Sequence, residues 1–423
     1  MKKSSSVFTS EFIHRLQLNN GILLVVRENP TADLISGRFF WKKAGTMWEE
    51  PEKAGIFHLL ASVITKGTQN MSSLDIAETV ESMGAGLGGD TASDYFVMSI
   101  KAVSEDFENI LKLLGEILRS PTFPEEEITL EKQLICQTIR SQQEQPFKVA
   151  FKQLREKMYG EHPYGRSVLG TEETVSQVNR EDLQKCHYDH FRPENLVISL
   201  SGNITLAQAV KLVEKNFGTW ENPDQNLTLN SLPVLKVSPC DMMTHQATQQ
   251  TTLMLGYLTV GVDHVDYPVL KLLSTYLGNG LSSRLFVELR EKKGLAYDVS
   301  AFFPSRLQPS YFVTYIGTAP HNTNIAIEGL KQEASRLCEV ELTPEELQVA
   351  KNKLLGQYAL GKQTNGEVAH LYGWYETLGL GIEFDEKFPE IINQVTPEMV
   401  QKVANDYFLS PYLSVVGPEM PLN

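Results

Sequence analysis

The chain repeats itself, and no other feature limits its possible folds as sharply. The run from Ser176-Gln177-Val178 to Gly202 resembles the run from Asn393-Gln394-Val395 to Gly417. Gln184-Lys185 matches Gln401-Lys402, Asp189 matches Asp406, and Phe191 matches Phe408, at an offset of 217 residues. Pro124-Glu125-Glu126 with Leu134 and Gln137 likewise matches Pro344-Glu345-Glu346 with Leu354 and Gln357, at an offset of 220. A period this long is too large for a solenoid and indicates a duplicated domain. The 423 residues suffice for about two to four domains with ample cores. The expected class is α+β: two homologous domains, each a mainly antiparallel sheet packed with helices. The first covers residues 1–221 and the second 251–423. Residues 222–250, with Pro223, Pro233 and Pro239 and no helical periodicity, read as a linker and lead-in strand.

Local signals fill in the halves. Leu16 to Val26 is strand, Asn19-Asn20-Gly21 turn and strand, a hairpin signature. Leu34 to Trp41 and Tyr95 to Val103 read as strands. Ser73 to Met83 is an amphipathic helix stopped by the glycine cluster Gly84 to Gly89. Helices are expected at Glu105 to Leu118, Glu125 to Glu144, Lys148 to Met158 and Arg180 to Phe191, and a strand at Asn195 to Ser201. In the second half, Thr251 to Leu258 is a strand and Tyr267 to Leu277 a helix.

Composition excludes some classes of function. A net charge of −14 argues against nucleic acid, which is bound by clustered Lys and Arg, and is compatible with unfolded or basic peptides. The opening Met1-Lys2-Lys3-Ser4-Ser5-Ser6 is followed by no apolar run long enough for a leader, and Gly21 to Val26 is too short to span a membrane. Cys136, Cys186, Cys240 and Cys338 are widely spaced and read as buried free thiols of a reducing compartment. A cytoplasmic protein without membrane contact is expected.

Gly55 to Thr68 reads as a short apolar helix ending at Gly67. His58 and Ser62, four apart, share one of its faces, and Ala61 is one step round. With Lys43-Ala44-Gly45-Thr46 and Glu49-Glu50 upstream and Lys66-Gly67-Thr68 downstream, this stretch resembles the zinc helix of the insulinase/pitrilysin (inverzincin) peptidases, whose motif is H-x-x-E-H. Here Ala61 stands for the Glu and Ser62 for the second His. The family takes a third ligand from a Glu on a later helix, and alignment of Glu131 to Ile139 with that helix puts Thr138 at its position. A catalytic zinc needs about three protein ligands and a base for its water. Three of the four chemical positions are gone, so the resemblance implies no metal on this chain. For His58 the plain structural alternative is a histidine held by nearby polar groups. His187 and His190, three apart on one helix, lack a third donor and read as structural.

The segment Leu281 to Tyr297 is the most family-like of the chain. Arg290 and Tyr297, seven apart, match the Arg/Tyr pair of insulinase-type enzymes, which donates hydrogen bonds to the substrate carbonyl and its developing oxyanion. Arg284 reads instead as a helix-to-sheet contact. In the family, the strand after a glycine run such as Gly84 to Gly89 lies at a sheet edge, where an extended peptide can pair. The resemblance covers about Phe12 to Gly417 and points to the processing-peptidase-like branch, whose chains each form half of a clamshell chamber. Within it the chain is similar to the zinc-free, Arg/Tyr-bearing subunit of a bacterial heterodimer. The implied function is a non-catalytic subunit of a zinc metalloendopeptidase, with a homologous partner holding zinc in an intact H-x-x-E-H. The alternative is an inert scaffold or peptide-binding protein that keeps the peptidase fold.

Overall fold

The computed structural model describes residues 8–9, 12–225, 227 and 231–418. Met1 to Ser6 and part of the 222–250 stretch lie outside the described residues. The chain forms two compact units whose segments interleave. One comprises Met1–Ile139, Ser167–Ser231 and Gly361–Ile382, the other Arg140–Arg166, Leu232–Leu360 and Glu383–Asn423. Each is an α+β unit built on one mainly antiparallel sheet.

The sheet of the first unit has seven strands in the order Phe8–Thr9, Ile13–Gln17, Leu23–Glu28, Leu196–Gly202, Leu34–Lys42, Tyr95–Val103 and Gly86–Thr91. Leu23–Glu28 runs parallel to Leu196–Gly202, and the other neighbours are antiparallel. The expected hairpin is present, with Leu18 and Ile22 closing its turn at 2.8 Å. Strand alternation sends Phe39, Trp41, Phe96, Met98 and Ile100 to one face, where they bury against the helices Ile56–Val63, Phe107–Arg119 and Leu206–Phe217. Phe40, Val97 and Val197 point to the other face, beneath the helix Asn365–Thr377. That helix sits so close that a Cβ on Gly373 would come within 2.5 Å of the Phe40 ring.

The glycine run behaves differently from its sequence reading. The turn is formed at Met83-Gly84, and only Ala85 separates it from Gly86–Thr91, which is itself a strand, paired with Tyr95–Val103 from Gly86↔Lys101 to Thr91↔Phe96. The strand after the run therefore lies one place inside the sheet, and the run is the edge. Glycine is weak in strands, but one-sided pairing to a long, well-buried neighbour is enough to hold it extended.

The second unit carries five strands in the order Asp298–Phe302, Tyr311–Thr318, Thr251–Leu258, Tyr412–Gly417 and Asp241–His245, the last pair parallel. The helix Pro146–Tyr159 covers this sheet. Its Gln153 donates to Ser414 Oγ at 2.7 Å, and Ser414 donates to Ala150 O at 2.8 Å. The sequence repeat has a structural counterpart: the interior strands Leu196–Gly202 and Tyr412–Gly417 are buried along their whole length, each following a helix, Arg180–His190 or Pro397–Tyr407. Of the four free cysteines only Cys186 is buried, and the other three are partly exposed, a correction to the expected burial. Among the described residues no helix is long and apolar enough to cross a membrane.

Candidate functional site

The helix Ile56–Val63 is held from its N-terminal end. Gly55 has φ 93°, a conformation glycine adopts without strain, and its side-chain position is closed off by Leu169 O at 2.6 Å. No side chain at Gly55 can cap the helix, and Glu49 does so from six residues upstream. The buried Glu49 carboxylate accepts the N–H groups of Gly55 at 2.9 Å and Phe57 at 3.1 Å. An anion at a helix N-terminus satisfies otherwise unpaired donors and complements the helix dipole. Ile56, Phe57, Leu59, Leu60, Ala61 and Val63 are buried, which leaves His58 and Ser62 on the partly exposed face.

The residues at the zinc-motif positions do not fit a zinc ion. Ser62 Oγ donates to His58 O at 3.2 Å, and Thr138 Oγ1 donates to Leu134 O at 2.9 Å. Both hydroxyls are thus turned back on their own helices. Ala61 is 7% exposed, and its carbonyl lies 3.0 Å from where a Cβ on Gly89 would be. Of the four positions only His58 offers a donor nitrogen. Among the described residues no group of three or more His, Cys, Asp and Glu is arranged to hold a metal. Burial lowers the His58 pKa, and the Asp90 and Glu131 carboxylates oppose that shift. Among the described residues the His58 ring makes no hydrogen bond, so the polar clamp read from sequence is replaced by packing and by these two charges. Glu131 is itself engaged by Lys66 at 3.1 Å.

His187 and His190 are half-buried, and each is tied to a backbone carbonyl. His187 Nε2 meets Leu118 O at 2.9 Å, and His190 Nδ1 meets Lys43 O at 2.6 Å. Burial pushes the His187 pKa down to about 4 and lowers that of His190. The His190 ring stacks edge-on against Phe57 at 5.0 Å and so helps seat the emptied helix.

Arg290 and Tyr297 both belong to the second unit. Arg290 lies on a π-helix, Phe286–Lys292, a rare conformation that recurs at functional sites. Its guanidinium is exposed and lies over the Phe286 ring at 4.9 Å. The chain then closes through Leu295 N to Leu289 O at 2.8 Å and Thr318 Oγ1 to Leu295 O at 2.6 Å. Tyr297 is anchored by its backbone to Gly317 O at 2.9 Å, while its side chain is 63% exposed. Among the described residues neither side chain has an ion pair or a hydrogen bond. Arg284 differs: it binds Glu333 at 2.7 Å on the helix Thr323–Glu339 and Glu288 at 3.0 Å. Its contact is helix to helix rather than helix to sheet.

Sequence reasoning missed the capping role of Glu49 and the cations Arg38 and Lys42. These two stand on the sheet face that carries Phe40. Charged residues at alternate positions of the otherwise apolar strand Leu34–Lys42 were the available signal.

Two related α+β units, one with an apolar helix framed by Glu49 and Lys66-Gly67-Thr68, the other with an exposed Arg/Tyr pair, define an insulinase-type peptidase chain. A family model described as "Insulinase (Peptidase family M16)" matches residues 24–172, and one described as "Peptidase M16 inactive domain" matches residues 177–354. The uncharacterized zinc protease YmxG of Bacillus subtilis is 30% identical over 414 residues, covering 96% of this chain and 98% of that protein. An uncharacterized zinc protease of Rickettsia bellii is 27% identical over 406 residues, covering 95% and 97%. The crystal structure of a peptidase M16 inactive domain from Pseudomonas fluorescens superposes with TM-score 0.90 at 22% identity, covering 97% of this chain and 99% of that one. A Helicobacter pylori protease gives TM-score 0.86 at 22% identity, with 95% and 98% covered. The chain belongs to the M16 (insulinase) peptidase family.

Proposed function

We propose that the chain is the non-catalytic subunit of a heterodimeric, processing-peptidase-like metalloendopeptidase that acts on unfolded peptides. The zinc would be held by a homologous partner with an intact H-x-x-E-H motif. The observation that carries this reading is a selective loss. The zinc-donor positions hold Ala61 and two hydroxyls spent on their own helices, whereas Arg290 and Tyr297 remain exposed and, among the described residues, make no side-chain hydrogen bond or ion pair. A guanidinium and a phenol whose N–H and O–H groups are not taken up by hydrogen bonds can donate to a substrate carbonyl and to the charge that develops on it. Holding Arg290 on a π-turn and Tyr297 by its backbone limits the entropy lost when they engage a substrate.

The test is hydrolysis of an unstructured peptide by this chain mixed with a homologous H-x-x-E-H chain. Cleavage that requires both chains supports a shared site. Cleavage by the partner alone at the same rate removes the subunit role and leaves the reading of an inert scaffold.

A further inference from the structure

The face of the first unit's sheet beside the helix Asn365–Thr377 carries an uncompensated positive charge. Arg38, Phe40 and Lys42 alternate along their strand and share this face, with Arg38 opposite Ser99, Phe40 opposite Val97 and Lys42 opposite Tyr95. Across the next strand, Ser99 is paired with Gly88, Val97 with Asp90 and Lys101 with Gly86. The same face therefore presents Arg38, Lys42 and Lys101 against one carboxylate, Asp90. His370 borders it, its ring 5.3 Å from Phe40 and its pKa lowered mainly by burial.

Neither inner cation is neutralised. Arg38 donates to the carbonyl of its neighbour Gly37 at 3.1 Å, and among the described residues neither it nor Lys42 forms an ion pair. The carboxylate that acts on Lys42, Glu376, is taken up by Arg15 at 2.9 Å and by the N–H of Ile382 at 3.1 Å. Burial lowers the pKa of both Arg38 and Lys42. Desolvating a cation without a partner costs stability, and such unpaid sites are characteristic of binding surfaces.

The floor beside them is bare. A Cβ on Gly86 or Gly88 would meet nothing within 4 Å, and Asp90 is exposed. Ser99 is one strand spacing from Arg38 and Gly88 two, about 5 and 10 Å, so a group resting on this floor is within reach of the guanidinium. We propose that this face binds a carboxylate of an extended peptide, selecting acidic over basic segments at this subsite. The carboxylate is that of an Asp or Glu side chain in the segment. The net charge of −14 favours basic peptides at long range, but that field is screened beyond about 8 Å at physiological salt, so the local cations decide. The inference rests on the reading that this chain handles peptides.

The test is fluorescence anisotropy with the full chain alone and labelled peptides of equal length, spaced by Gly and Ser, carrying Glu, Gln or Lys. The Glu peptide is expected to bind at least about tenfold more tightly than the others, a difference of about 1.4 kcal/mol. The Arg38→Gln/Lys42→Gln variant should lower it to the Gln level without lowering the thermal midpoint. The exposed Asp90→Asn change, which does not disturb packing, should tighten Glu-peptide binding severalfold. All the peptides are amidated at the C-terminus, so that only the side-chain carboxylate distinguishes the Glu peptide from the others. Equal binding of Glu and Gln peptides, preference for Lys, or an unchanged preference in both variants would overturn the proposal. Because the partner chain is absent, these outcomes are read independently of whether shared hydrolysis succeeds.

Discussion

The Glu49 carboxylate accepts the backbone N–H of Phe57 at 3.1 Å and so fixes the start of the helix Ile56–Val63. It also holds Gly55 N, which makes it a cap supplied from outside the helix. Glu49→Ala would leave two buried donors unsatisfied. A loss of about 1–3 kcal/mol is expected, measured as a lower urea midpoint with unchanged slope. Glu49→Gln should recover part of it, since the amide oxygen still accepts.

The donor set at the emptied helix predicts its metal behaviour. Purified and dialysed chain should hold no stoichiometric zinc. Glu131, whose charge reaches His58, lies seven residues before Thr138 on one helix, so the two share a face. Adding Ser62→His and Thr138→Glu to the existing His58 should therefore create a three-donor set and capture zinc, read by metal analysis. One zinc per wild-type chain would contradict the account of the site.

Stability should fall on acidification through two neutral histidines. Burial holds His187 and His162 down to about 4, against 6.5 when exposed. Below pH 6.5 the unfolded chain takes up protons that the folded chain refuses, so the stabilisation present above 6.5 is lost progressively toward pH 4. For His187 the loss amounts to about 1–3 kcal/mol. Urea unfolding at pH 7 and pH 5 measures it. His187→Gln, which can still donate to Leu118 O, should show a shallower pH dependence than the wild type.

Gly278 closes the helix Tyr267–Gly278 against the strand that follows Tyr297. A Cβ there would sit 1.8 Å from Ala301 N and 2.5 Å from Ala301 Cα. Gly278→Ala must push the helix and strand apart. A cost of about 1–3 kcal/mol or more is expected, seen as a lower thermal midpoint. Because Asp298–Phe302 begins one residue after Tyr297, amide exchange at that strand's start should quicken.

Much of the fold was legible because its signals are local. The Asn-Gly turn marked the first hairpin, and the run Tyr95–Val103 has the strand bounds its alternation suggests. The matched segments around Gly202 and Gly417 announced two like units. The illegible parts depend on contacts distant in sequence. Nothing local in Pro146–Tyr159 says that it covers the sheet of the second unit, or in Asn365–Thr377 that it covers that of the first. Gly86–Thr91 is a strand through its neighbour's pairing, against its own propensity. At the site, the emptied motif and the Arg/Tyr spacing were readable as residue types. The cap from Glu49 and the free cations of Arg38 and Lys42 depend on which partners the fold supplies.

The shared-site account is tested most directly by Arg290→Ala in the assembled pair with an H-x-x-E-H partner. Peptide turnover and zinc content should be measured on the same sample. The account predicts turnover reduced about a hundredfold, in keeping with the loss of one oxyanion donor, with pairing and zinc content unchanged. Full turnover by the variant pair, or equal turnover by the partner alone, would contradict it.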